Sequence, residues 1–149
     1  MLGGCVNSGR YDMKSDQAPL RKPTSLETND AKPEYQPIYP WSIKPYTVRG
    51  KRYVPLKSAQ DYQATGIASW YGRKFHGHKT ANGEVYDMFA MTAAHKTLPI
   101  PSFVRVTNLD SQKVIIVRVN DRGPFHDHRV IDLSYSAAYA LGMLNTVTA

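Results

Sequence analysis

Residues 117–134 read VRVNDRGPFHDHRVIDLS and hold three aspartates (Asp121, Asp127, Asp132), two histidines and three arginines (Arg118, Arg122, Arg129) in 18 positions. Carboxyl groups at this density can serve general acid–base chemistry, or they can pair with the neighbouring guanidiniums in an ion-paired hairpin. Asp121 has the setting that favours chemistry. It closes the apolar run VIIVRVN and precedes the Gly123-Pro124 turn, so a rigid strand would carry a side chain reaching into a cleft. Asp132 precedes the helical run YSAAYAL, whose free N–H groups would stabilise its anion, which makes it a poor acid and a structural residue. Glu84 ends TANGE and faces either a cleft or solvent. His95, in TAAHKTLPIP, is a lone histidine beside a short strand and reads as structural or catalytic.

A further constellation is WYGRKFHGHKTANG, where Trp70, Tyr71, Phe75, His76 and His78 alternate rings with hydrogen-bonding groups. Rings stack on the C–H faces of sugars while polar groups meet the hydroxyls, so this pattern suits a glycan. The His76-x-His78 pair also raises a metal site. With no cysteine partner and no H-E-x-x-H helix, no metal is expected.

The elements that must position these groups are short. TGIASWY reads as a strand, KFHGHKTANGE as a long loop with turn signals at Gly77, Asn82 and Gly83, and FAMTAAH as a second strand. FVRVTN alternates cleanly, LDSQK turns, and VIIVRVN returns as a nearly continuous apolar strand. Ser134 is placed to cap YSAAYAL, and Gly142 to end it. Upstream, YTVRGKRYV reads as a hairpin around Gly50. Short strands and one late helix predict a mainly β domain, a small closed barrel.

With 149 residues the chain has room for one ordinary domain. Its net charge of +7 comes mostly from residues 1–60, with ten Lys/Arg against five Asp/Glu, while residues 61–149 carry nine against seven. The expected domain is thus nearly balanced, which argues against a nucleic-acid partner. No run of 18 apolar residues occurs. The expected organisation is residues 1–5 as a signal-peptide remnant, 6–40 as a polar, proline-rich flexible tether, 41–64 as an ordered lead-in and 65–149 as the barrel domain. The sole cysteine, Cys5, excludes an intrachain disulfide. Its setting, Leu-Gly-Gly-Cys, is that of a bacterial lipobox, in which the thiol is acylated after cleavage before the cysteine.

The motifs ASWYG, TANGE, TAAHKTLP, VRVNDRGP and VIDLS occur in this order, and with them residues 46–144 resemble the rare lipoprotein A family. These are bacterial envelope proteins with a six-stranded double-psi β-barrel, related more distantly to expansins, barwin proteins and family-45 endoglucanases. The resemblance implies an endolytic lytic transglycosylase, a carbon–oxygen lyase that needs no cofactor. It would cleave MurNAc-β-1,4-GlcNAc bonds of peptide-free peptidoglycan glycan strands, leaving 1,6-anhydroMurNAc ends, in wall remodelling and daughter-cell separation. It implies Glu84, His95 and Asp121 as the catalytic residues. Such a reaction uses the sugar's own C6 hydroxyl as nucleophile, so one carboxyl group, assigned to Asp121, serves as acid and then base. Glu84 would supply charge beside it or stabilise the oxocarbenium-like transition state, and His95 would orient a carboxyl group or bind an acetamido group. Trp70, Tyr71, Phe75, His76, Asn82, Asn120 and Arg122 are the expected substrate-binding residues. The expected partners are the glycan strands, a membrane held through lipid on Cys5, and division-site proteins. The expected place is the periplasmic side of a Gram-negative envelope, on the outer membrane rather than the inner. The barrel's last strand is expected beyond NTVTA, leaving the domain incomplete at its C-terminus. A competing reading is an expansin-like module that binds the wall without cleaving it.

Overall fold

The computed structural model describes residues 21–72, 75–81 and 83–143. The fold is mainly β. Strands β1 (Tyr46–Val48) and β2 (Lys51–Tyr53) form a hairpin, with Arg49 and Gly50 both at positive φ (53° and 80°) as a tight two-residue turn requires. The principal sheet holds β3 (Ile67–Tyr71), β4 (Thr92–Ala94), β5 (Ser102–Thr107), β6 (Val114–Asp121) and β7 (Arg129–Ser134) in the order β3-β7-β4-β6-β5. Two of its pairings, β3 with β7 and β4 with β6, are parallel and join strands distant in sequence. The five strands fit the expected mainly β barrel, with β3 and β5 at the edges of the described sheet.

Alternation decides which side chains reach the core. Along β6, Ile115, Val117 and Val119 are buried between half-exposed Ile116 and Arg118. Ile115 and Val117 pack with Ala93 of β4, Ile131 and Leu133 of β7, and Ala137, Ala138 and Leu141 of the helix α1 (Tyr135–Leu141), while Val119 packs with Leu98 and Ile100. Each such aliphatic side chain contributes about 1.5–3 kcal/mol by leaving water. A second cluster, Tyr71, Phe75, Tyr86, Met88, Ala94 and Tyr135, lies under the loop between β3 and β4. Ser134 caps α1, its Oγ accepting from Ala137 N–H at 3.2 Å, and Gly142 ends the helix at φ 77°. Both ends are as the sequence predicts.

β7 is not legible as a strand from sequence, because Asp132 and Ser134 interrupt its apolar run; both are buried. The stretch is no ion-paired hairpin either. Arg118 donates to Glu84, Arg122 to backbone carbonyls, and Asp127 lies 3.5 Å from Lys51. Asp132 is buried, its Oδ1 accepting from Ser69 Oγ at 2.8 Å on the neighbouring strand, and Ser134 caps the helix as expected.

The segment expected to be a loose tether is in part a strap bonded to the barrel. A 3-10 turn at Leu26–Thr28 is followed by Asp30, whose carboxylate accepts from Ile116 N–H, and Ala31, whose N–H donates to Ile116 O. These bonds occupy the side of β6 that the three-residue β4 leaves uncovered. Gln36 accepts from Arg118 Nε, Tyr39 N–H donates to Ile100 O, and buried Ser42 accepts from Ile100 N–H. Composition reads such polar chain as disordered because the partners of these bonds, the backbones of Ile100 and Ile116 and the Arg118 side chain, lie far along the sequence. Among the described residues no helix is long and apolar enough to cross a membrane.

Candidate active site

The site begins with a bulge. Thr92 pairs with Arg118 and Ala94 with Asp121, so the two-residue step on β4 faces a three-residue step on β6. Asn120 is the extra residue. In a regular strand Arg118 and Asp121, three residues apart, would project to opposite faces; with Asn120 bulged, both share the face of Thr92 and Ala94.

The loop between β3 and β4 folds back onto this face. Thr80 N–H donates to Glu84 O and Gly83 N–H to Thr80 O, closing a tight turn with Gly83 at φ 85°. Ala81 N–H then donates to Asp121 Oδ1 at 2.8 Å, and Arg122 N–H donates to the same oxygen at 2.8 Å. Glu84 Oε1 accepts from Arg118 Nη1 at 2.6 Å and from Asn120 Nδ2 at 3.0 Å. One short run of loop thus holds the Asp121 carboxyl group with a backbone N–H and sets a second carboxylate beside it. Asn120 is 3 % exposed, and its Oδ1 is buried without a partner. Tyr71 lies beneath, its hydroxyl pushed well above its usual pKa by burial first and then by the charges of Asp121, Tyr86 and Asp132.

His95 joins this site through its backbone, donating N–H to Asp121 O at 3.0 Å. Its imidazole does not hold a carboxyl group, which corrects one role expected for it. Nδ1 accepts from Thr97 N–H and Leu98 N–H, both at 3.1 Å, and Nε2 lies 3.0 Å from the Tyr62 hydroxyl. Burial, then the charges of Arg122 and Lys96, lower its pKa to about 4. The sign follows from proton counting. An unfolded histidine near 6.5 binds a proton that the folded one refuses until about 4, so folding stability falls as pH drops through that window. His95 therefore contributes roughly 3 kcal/mol at pH 7 that is absent at pH 4. Urea unfolding at pH 7 and pH 4.5 should show a smaller pH dependence in His95→Gln than in the parent. An equal dependence would mean the imidazole is not held neutral.

The expected substrate-binding residues separate into three groups. Asn120 lies in the site. Tyr71 and Phe75, 2 % and 8 % exposed, are core residues under it, with Tyr71 stacked on Tyr86 at 4.3 Å; neither presents a surface to a sugar. Trp70 is half-buried, its ring edge against Tyr135 and its Nε1 buried without a partner. His76 is exposed, but its neighbours are Met88, Asp87, Tyr86 and Phe89, not Glu84 or Asp121. Arg122 turns inward, donating to His95 O at 3.1 Å, Leu98 O at 2.5 Å and Ser42 O at 2.5 Å. Asn82 and Cys5 lie outside the described residues. Among the described residues no three His, Cys, Asp or Glu side chains come close enough to hold a metal ion. Arg118, Tyr62 and Gln36 belong to the site's framework and escaped the sequence reading. Only Arg118, an arginine three residues before Asp121 on a strand, carried any signal.

A family model described as lytic transglycolase matches residues 63–149. Curated proteins named endolytic peptidoglycan transglycosylase RlpA are similar to the chain. The one from Vibrio cholerae is 57% identical over 151 residues, covering 100% of this chain and 57% of its own length. The one from Pseudomonas aeruginosa strain PAO1 is 66% identical over 105 residues, covering 70% of this chain and 31% of its own. The one from Yersinia pestis is 43% identical over 145 residues, covering 97% and 40%. The chain thus spans between about a third and just over half the length of these relatives.

Proposed function

From the premise that the chain belongs to the lytic transglycolase family, we propose that it is an endolytic peptidoglycan lytic transglycosylase with Asp121 as its acid and base. The carrying observation is the folded TANGE turn, which sets an N–H on Asp121 and the Glu84 carboxylate beside Arg118 and Asn120. Asp121 Oδ1 already accepts two backbone N–H groups, so the catalytic proton sits on Oδ2. That proton passes to the glycosidic oxygen as the bond from MurNAc C1 breaks, and GlcNAc leaves with a free 4-hydroxyl. Asp121, now a carboxylate, takes the proton of the MurNAc C6 hydroxyl as that oxygen bonds to C1. The ring closes as 1,6-anhydroMurNAc, with no water consumed and the acid regenerated. Glu84 lends negative charge facing the oxocarbenium-like transition state, and its bonds to Arg118 and Asn120 keep it in place before substrate arrives.

The names of the relatives support peptidoglycan as the substrate. Peptide-free glycan is the form proposed to enter, and Asn82 and Asn120 are the side chains proposed to bind it. Leu-Gly-Gly-Cys supports a lipid anchor on Cys5 that would hold the barrel at the periplasmic side of a Gram-negative envelope, and division-site proteins are the partners proposed there. The expected tether would be shorter than residues 6–40, because the strap from Leu26 on is bonded to the barrel. The test is a digest of peptide-free glycan strands read by mass spectrometry. Fragments ending in 1,6-anhydroMurNAc are expected. Intact strands, or fragments with ordinary reducing ends, would overturn the reading.

A further inference from the structure

The Arg118 guanidinium is bonded through two different nitrogens. Nη1 donates to Glu84 Oε1 at 2.6 Å, and Nε donates to Gln36 Oε1 at 2.8 Å. Arginine has no acceptor, so the Gln36 oxygen is the atom that must face it. The amide nitrogen of Gln36 points the other way and donates to Glu34 Oε1 at 2.9 Å. Gln36 is half-buried and belongs to the strap, which is bonded to the barrel on both sides of it. Upstream, Asp30 and Ala31 bond to the backbone of Ile116, on the same strand as Arg118; downstream, Tyr39 N–H donates to Ile100 O. A continuous run of hydrogen bonds through Glu34, Gln36, Arg118, Glu84 and Asn120 therefore joins the strap to the carboxylate set beside Asp121.

The ion pair by itself would hold this geometry weakly. The side chains of Arg118 and Glu84 are 21% and 34% exposed, so water and salt compete for both charges. Pairing with Thr92 fixes the backbone of Arg118 but leaves its long side chain free to swing. A second bond, at another nitrogen of the same rigid plane, sets both the position and the tilt of the guanidinium. We propose that Gln36 is a positioning residue of the transglycosylase site, holding Arg118 so that Arg118 in turn holds the Glu84 carboxylate against the reacting sugar. The inference rests on the function proposed above and extends its machinery from the barrel into the strap. Gln36 touches no reacting atom in this role. It governs where the negative charge of Glu84 stands as positive charge develops at C1 of the sugar.

The experiment compares Gln36→Met, Arg118→Met and the pair in the full chain, with peptide-free glycan strands as substrate. Methionine matches the length of glutamine and lacks its acceptor. Gln36→Met should therefore lower kcat about 3- to 10-fold, the effect of one hydrogen bond, with KM within about twofold. Arg118→Met should lower kcat at least as far. The pair should be no worse than Arg118→Met alone within about twofold, because Gln36 acts only through that guanidinium. NMR relaxation of the Arg118 Nε–H, measured without glycan, should show an ordered side chain in the parent and a mobile one in Gln36→Met. An unchanged kcat in Gln36→Met, losses that multiply in the pair, or an Nε–H equally ordered in both proteins would each overturn the proposal. So would a raised KM with kcat unchanged, which would make Gln36 a contact to the glycan itself. If the parent cleaves nothing, the assigned activity fails, while the relaxation of Arg118 still decides whether Gln36 holds the guanidinium.

Discussion

Asp121→Asn should lower kcat on peptide-free glycan by about 10²- to 10⁴-fold, the usual worth of a positioned general acid, and leave the melting temperature nearly unchanged. The amide keeps an oxygen that accepts from Ala81 and Arg122 N–H, so the turn of the loop onto β6 survives. What disappears is the acidic proton on the other oxygen, and an amide nitrogen cannot replace it. KM should hold within a few-fold, since the substitution leaves Asn120, Arg118 and Glu84 where they are. Steady-state kinetics beside thermal unfolding make the check. Residual kcat within threefold of the parent would remove Asp121 from the chemistry. A fall in kcat accompanied by a large fall in melting temperature would instead assign the carboxyl group to holding the loop.

Much of this arrangement could be read from local pattern, and what could not was nonlocal. FVRVTN alternates and VIIVRVN is a nearly continuous apolar run, and they form β5 and β6; the Arg49-Gly50 turn, Ser134 and Gly142 carry their own local reasons. β7 hid because a strand buried on both faces can include Asp132 once Ser69 across the pair supplies a hydroxyl. The parallel partners of β3 and β4 lie too far along the chain for any window to register them. Glu84 and Asp121, 37 residues apart, meet because Asn120 is a bulge residue, and no residue type announces a bulge of this kind. The aromatic run from Trp70 to Phe75 fits a sugar platform and a core equally well; burial of Tyr71 and Phe75 decides for the core. His95 was visible as a lone histidine. That its ring is spent on Thr97, Leu98 and Tyr62 depends on a turn geometry the sequence does not spell out.

Arg122→Ala should unfold more easily than the parent by on the order of 3 kcal/mol, because it leaves three carbonyls without a donor at about 1–3 kcal/mol for each one buried. In a domain of this size that is a fall of roughly 10 °C in melting temperature. An arginine beside the proposed acid invites the reading that it grips substrate, and the geometry argues against this. Its guanidinium spans from Leu98 and His95 to Ser42, 80 residues upstream, and rests 5.7 Å from the Tyr46 ring centroid. It therefore ties the N-terminal strap to the turn that supplies Thr97 and Leu98 N–H to His95. A lysine has one ammonium and cannot span all three carbonyls, so Arg122→Lys should recover only part of the loss. Measured well below the melting transition, KM for glycan should stay within about threefold in both variants, while amide exchange at Thr97 and Leu98 accelerates. The opposite pattern, a KM raised tenfold or more with unfolding unchanged, would return Arg122 to the substrate. The two patterns are separable because the clamp acts on the folding equilibrium through buried carbonyls, whereas a ligand contact acts only when glycan is present.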